Sequence, residues 1–234
     1  MLSSSVLIPT PASAGSTSSI RIPWSAFVRL VIDVTVQGYL SMKAAHIAKA
    51  EWNEDHFTIN LEKFIRPIAR QSSIQIRSQV HVYTQEMEEG TVSANEAVKI
   101  DIQLWSPWEE YEKVYFAWEC KLIVDTKSDR RKGYLVSKYI TEGVYRFLSG
   151  EYSKDVTDAG MIGYVLAGEP SNIVRSLNNS LLHPKRSGRF SHSDHLTRST
   201  LIDHLDSLFV SNHNRTAYPD NITLHHLLLA FDFT

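Results

Sequence analysis

The chain has 234 residues, of which 43% are hydrophobic and 21% charged, and its 24 Lys and Arg against 26 Asp and Glu leave a formal net charge of −2. These values fit one domain that closes its own core, and they exclude both a mostly disordered chain and a broadly basic one, so a nucleic-acid partner would have to be met by local clusters of positive charge. A single cysteine, Cys120, excludes an internal disulfide framework and a thiolate-only zinc site, and no stretch approaches the ~18 apolar residues of a membrane span. The Ser-, Ala- and Pro-rich residues 1–19 lack a basic start and a sustained apolar run. They read as a loose tail and not a signal peptide, with residues 20–234 as a single domain (core about 57–167) and the cytoplasm as the expected compartment.

From Trp24 to Ala50, Phe27, Val31, Val34, Ala45 and Ala48 fall on one helical stripe, although the β-branched run Val28 to Val36 suits a strand equally well and Gly38 could break either. The next helix is predicted to be capped by Thr58, with Leu61, Phe64, Ile65, Ile68 and Ala69 as its apolar stripe and Glu62 in its first turn. The period then changes to 2, and Ile74, Ile76, Val80 and Val82 predict a half-buried strand. After an acidic loop, 85–97, a second strand sets Val98, Ile100, Ile102 and Leu104 on one face and Lys99, Asp101 and Gln103 on the other. A third sets Val114, Phe116, Trp118, Cys120, Leu122 and Val124 opposite Tyr115, Ala117, Glu119, Lys121 and Ile123. A polar, basic loop (125–133) leads to a helix from Tyr134 to Leu148, then to a short apolar strand, Ala159 to Ala167, covered on both faces. A helix opened by Pro170 and strands at Ser207–Asn212 and Ile222–Phe233 complete the chain, although Leu224 to Leu229 could also be helical.

The chemistry concentrates in the second and third strands. Glu119 and Lys121 are two residues apart and point the same way in a strand, and Asp101 projects from the polar face of the strand before. If those strands are neighbours, two carboxylates and one ammonium converge. Two carboxylate ligands, with the backbone carbonyl of Cys120 as a further one, suit Mg²⁺ or Mn²⁺, which keeps several waters and is completed by a substrate phosphate. Such a metal lowers the pKa of bound water, and Lys121 would orient that water or offset charge on the phosphate. An acid-x-Lys triplet is common by chance, and Asp125-Thr126-Lys127 is a decoy a few residues on. What singles out the first triplet is its place in a strand with a strongly apolar reverse side, beside an Asp that strands ordinarily disfavour.

The order helix–strand–strand–strand–helix–strand, with Asp101 in the second strand and Glu119-x-Lys121 in the third, resembles the PD-(D/E)xK restriction-endonuclease-like nuclease superfamily over about residues 57–167. The resemblance implies an α/β fold with a restriction-endonuclease-like core, a mixed central sheet flanked by helices, plus an N-terminal helical segment and extra C-terminal strands. It implies Mg²⁺-dependent hydrolysis of phosphodiester bonds, in DNA, with Asp101, Glu119 and Lys121 as the catalytic centre. The family's Pro is replaced by Ile100. The stretch "FAWECKLI…YLVSKYITEGVYRFLSGEY…GMIGYVL" is also similar to uncharacterised bacterial restriction and phage-defence proteins, which implies a defence role, a protein partner in a defence complex, and a homodimer as one assembly.

On the helix after the third strand, Lys138, Glu142 and Arg146 form either a ladder of surface pairs or, as the resemblance implies for Lys138 and Glu142, groups that reach the site. Glu62 is a further acid of the kind such nucleases add from the first helix. Lys127, Arg130, Arg131 and Lys132 form a basic loop able to grip backbone phosphate, and residues 183–189 form a second. The ten histidines show no zinc-binding spacing, and Gly-x-Ser-x-Gly and phosphate-binding glycine loops are missing from the sequence. Two other readings use the same residues: an inactive nuclease-fold subunit that binds nucleic acid or scaffolds a complex, and a plain α/β domain with a fortuitous triplet.

Overall fold

The first apolar run is helical: α1 spans Trp24–Ala44 and passes straight through Gly38. Its apolar residues line two adjacent stripes, one packed on the sheet and one on α2 (Glu54–Gln71). Gly38 is where the two helices touch, since a Cβ there would stand 2.5 Å from Ile65 Cγ1. α2 begins one turn earlier than Thr58, because Asn53 is the cap and its side chain accepts from the His56 N–H. Thr58 sits inside the helix, its hydroxyl donating back to the Glu54 carbonyl. Glu54 and Asp55, not Glu62, therefore occupy the first turn.

The computed structural model describes residues 22–82, 89, 91, 93, 99–106, 114–126, 129–153, 155–183, 190, 194–215, 221–231 and 233. The expected N-terminal tail, most of the acidic loop and Lys127 lie outside the described residues. After α2 come β1 (Gln75–His81), β2 (Lys99–Trp105) and β3 (Phe116–Val124). A broken helix follows: α3 (Lys132–Tyr139), a π-helical turn (Ile140–Val144) and α4 (Tyr145–Leu148). β4 (Asp158–Ala167), α5 (Pro170–Leu181), β5 (Thr197–Arg198), β6 (Leu208–Asn214) and β7 (Asn221–Ala230) complete the order. No helix among the described residues is long and apolar enough to cross a membrane.

The strands form one seven-stranded mixed sheet, β1-β2-β3-β4-β7-β6-β5, so the chain is α/β. β3, β4 and β7 run parallel in the middle and the flanking pairs are antiparallel. Covered on both faces, the central strands read as near-continuous apolar runs. α1 and α2 pack on one face over Phe116, Trp118, Cys120, Ile162, Tyr164 and Leu227. The broken helix and α5 pack on the other, over Ala117, Ile123, Met161, Val165 and Leu228. Trp118 is fully buried, with its indole N–H donating to Thr35 of α1.

Two expectations about facing change. Ile102 and Leu104 join the core under α1 and α2, but Ile100 joins the opposite one. On β1, Ile76 faces α2 while Val80 packs with the opposite core. Both strands thus change face between residues 78 and 80 and between 100 and 102, where Gln79 adopts a left-handed φ of 51°. Strict alternation, on which the prediction rests, does not survive a left-handed residue.

Candidate active site

The site lies where β2 and β3 part. Their ladder pairs Leu104 with Phe116, Gln103 with Ala117 and Ile102 with Trp118, and then stops. The next β3 amides on that edge find carboxylates in place of strand carbonyls. Cys120 N–H donates to Asp101 Oδ2 at 2.7 Å, and Leu122 N–H to Glu54. This gives Asp101 a reason to stand in a strand: its carboxylate replaces a missing ladder acceptor. Gln79 donates to its other oxygen, Oδ1, at 3.1 Å.

Glu119 and Lys121 share the opposite face of β3 from Cys120, as alternation predicts, but they are not in an open cleft. Both are buried, at 2% and 5% exposure, beneath the broken helix. A solvated surface pair, worth little, is therefore ruled out. Lys121 Nζ uses all three donors, on Glu119 Oε1 at 2.6 Å, Cys120 O at 2.8 Å and Glu54 Oε1 at 3.0 Å. Arg146 lies against Glu119 Oε1 at 3.5 Å and donates to Tyr152 Oη at 2.9 Å, while Tyr152 donates to the Lys99 carbonyl at 2.6 Å.

Burial dominates the electrostatics. It pushes the Asp101 and Glu54 carboxyls up, with Lys121 opposing in both cases. Burial and then the neighbouring Asp101 push Glu119 up to about 8, against the pull of Lys121 and Arg146. Burial lowers the affinity of Lys121 for its proton, but Glu119, Glu54 and Asp101 together outweigh it and hold the ammonium charged. Carboxylates thus outnumber cations in a dry setting. Glu119 Oε2 is buried and has no hydrogen-bond partner. An unpartnered buried carboxylate oxygen is rare and asks for a ligand or an ion. Among the described residues no cage of three or more His, Cys, Asp or Glu side chains is assembled. The donor set is two carboxylates with a carbonyl beside them, which is chemistry suited to Mg²⁺ and not to zinc. The Cys120 thiol plays no part in it: it is fully buried on the far face, and burial pushes its pKa up.

Of the other predicted residues, Lys138 and Glu142 pair with each other at 3.2 Å on an exposed side of the broken helix. Arg131 pairs with Asp129, Lys132 with Asp125, and Arg130 is exposed. Glu62 is taken by Arg66 and the Ser78 hydroxyl on α2 and β1. The residues that do join Asp101, Glu119 and Lys121 are Glu54, Gln79, Arg146 and Tyr152. Asn53 followed by two acids is a readable helix start that would have pointed to Glu54. Arg146 was masked by the π turn, in which the Tyr145 N–H bonds the Ile140 carbonyl five residues back. The wider turn shifts the helix phase, so that Arg146 and not Glu142 meets β3. Gly143 lets that turn come down on the site, because a Cβ there would stand 2.3 Å from Met161 Cε and 3.8 Å from Lys121 Cγ.

No family model, curated protein or solved structure matches this chain.

Proposed function

We propose that the chain is a Mg²⁺-dependent nuclease of the restriction-endonuclease-like type, hydrolysing phosphodiester bonds in DNA. The observation that carries this reading is the buried, unpartnered Glu119 Oε2 beside Asp101, in a cluster whose carboxylates exceed its cations. The element order α2–β1–β2–β3–α3–β4, with Asp101 on β2 and Glu119 and Lys121 on β3, supports the same reading. Asp101 and Glu119 would hold the metal, with the Cys120 carbonyl alongside. When bound, the metal would lower the pKa of a coordinated water and offset charge on the phosphate.

The chain's own residues do the rest. Lys121 is kept charged between Glu119 and Glu54, and giving up its longest contact, to Glu54 at 3.0 Å, would free one ammonium proton to orient the attacking water and stabilise the phosphate's developing charge. Arg146 fixes Glu119 from the other side, and its side chain, about a third exposed, takes a second phosphate oxygen at the rim. Glu54, a third exposed, marks the opposite rim, so the substrate enters between the start of α2 and α4. Arg130 and the rest of the basic loop grip the flanking backbone.

One observation favours a second reading. All three Lys121 donors are satisfied within the protein, as in a nuclease-fold subunit that binds nucleic acid or a protein partner without cutting. The deciding experiment measures Mg²⁺-dependent degradation of single- and double-stranded DNA and of RNA by wild type and Glu119→Ala, with Mn²⁺ binding followed by calorimetry. Cleavage and Mn²⁺ binding by the wild type alone support the nuclease. Equal inactivity of the two, with nucleic-acid or partner binding kept, replaces it by the binding subunit.

A further inference from the structure

The left-handed residue in β1 points to a role for Gln79. β1 and β2 pair in one continuous antiparallel register from Gln75↔Trp105 to His81↔Lys99, and the one position without a ladder pair is Gln79 opposite Asp101. There the backbone of Gln79 takes a φ of 51° within the strand. Strand residues with a Cβ avoid that region, and such strain persists where surrounding structure enforces it, often at functional sites. Both strands change face at this position, since Ile76 and Ile102 belong to the core under α1 and α2 whereas Val80 and Ile100 belong to the core on the other side. The outcome of the kink is local. The Gln79 amide donates to Asp101 Oδ1 at 3.1 Å while Cys120 N–H donates to Oδ2 at 2.7 Å. Asp101 is therefore clamped at both oxygens, one by β1 and one by β3, in the gap where β2 and β3 part.

We infer that Gln79 is a positioning residue for the metal centre: its strained backbone aims the amide that fixes the Asp101 carboxylate for a divalent cation. Each clamped oxygen keeps a second lone pair for the metal, and the clamp removes the rotamer freedom that Asp101 would otherwise lose on binding it. The inference rests on the metal-centre reading above.

The test compares Gln79→Gly, which accepts the left-handed backbone and deletes the amide, with Gln79→Met, which keeps the length of the side chain and deletes only its polar end. Mn²⁺ affinity is measured by calorimetry and by electron paramagnetic resonance, and thermal stability in parallel. Loss of groups that orient metal ligands commonly weakens binding ~10–100-fold, and both variants should show a loss of that size. Gln79→Gly should melt no lower than the wild type, because glycine relieves the strained φ. A purely structural role would instead lower the melting temperature and leave Mn²⁺ affinity unchanged. Wild-type affinity in Gln79→Gly, within twofold, overturns the inference and leaves the metal centre standing. Absence of Mn²⁺ binding by the wild type itself overturns the metal centre, and Gln79's role with it.

Discussion

Two buried polar clusters sit on this sheet, and they are built on opposite principles. Around β3, Glu54, Asp101, Glu119, Lys121 and Arg146 crowd charge into a dry space and leave Glu119 Oε2 without a partner. Across β6 and β7 a chain of five residues has a matched donor and acceptor at every link. Tyr139 Oη pairs with His226 Nδ1 at 3.0 Å, His226 Nε2 with Ser211 Oγ at 2.7 Å, Ser211 Oγ with His213 Nε2 at 2.6 Å, and His213 Nδ1 with Asp194 Oδ1 at 2.7 Å. Burial first, with His213 and His225 adding to it, drives the pKa of His226 well down, so the ring is neutral and has one nitrogen to donate and one to accept. The second cluster contains a Ser, a His and an Asp in hydrogen-bonded sequence, yet Ser211 is 1% exposed and no substrate can approach its hydroxyl. A satisfied buried network fixes a fold. A buried cluster with an unpartnered carboxyl oxygen is held ready for something else.

The sharpest way to break this contrast is to neutralise the first cluster without changing its shape. Asp101→Asn and Glu119→Gln keep a carbonyl oxygen for the local donors but remove the charge a divalent cation needs. Cleavage should fall to background in both, a loss of more than about 10³ for a metal-dependent step, while circular dichroism shows an intact fold. Lys121→Met comes next. Its role is in the transition state, so the rate should fall ~10²–10³ with Mn²⁺ affinity largely kept, which a single-turnover assay beside calorimetry separates.

The second cluster should respond in the opposite sense. Ser211→Ala leaves His213 Nε2 and His226 Nε2 facing each other across an apolar gap, at a cost of about 1–3 kcal/mol for each unpaired group. Chemical denaturation should show that loss, and cleavage below the new midpoint should match wild type. A cleavage defect in Ser211→Ala at full stability would make the two clusters one functional system.

How these clusters relate to the sequence is instructive. The period-2 pattern from Phe116 to Val124 placed Glu119 and Lys121 together on one face, and Asp101 stood out because a strand ordinarily rejects it; both inferences needed only local geometry. The α/β class and six of the seven strands followed from the changes of period, the two-residue β5 at Thr197–Arg198 falling where no strand was expected, and Pro170–Leu181 was legible to the residue. What was hidden depends on backbone departures that no regular period encodes. The left-handed φ at Gln79 reverses the facing of Val80 and Ile100, and the π turn at Ile140–Val144 rotates Arg146 onto Glu119. The burial of the Glu119–Lys121 face was hidden too, because its cover is the broken helix, packed through Gly143. The Tyr139–Asp194 chain joins residues as far apart as 139 and 226, and only the sheet order brings them together.

The last expected effect is a pH dependence of stability, and its sign distinguishes the clusters most directly. Glu119 has a folded-state pKa raised to about 8 from an ordinary 4.5. Between those values the folded chain holds a proton that the unfolded chain has released, so this group's contribution to stability declines as pH rises from about 4.5 to about 8 and is constant outside that window. Glu119→Gln cannot ionise and escapes the decline. Its melting temperature relative to wild type, measured without metal, should therefore climb through that window and level off above pH 8. Saturating Mg²⁺ favours the ionised carboxylate and should stabilise the wild type but not the variant, reversing the order at pH 8. If the two proteins keep a constant difference from pH 5 to 8.5, with and without Mg²⁺, then Glu119 is ionised throughout. The site would then be a satisfied ion-pair network like its neighbour on β6 and β7.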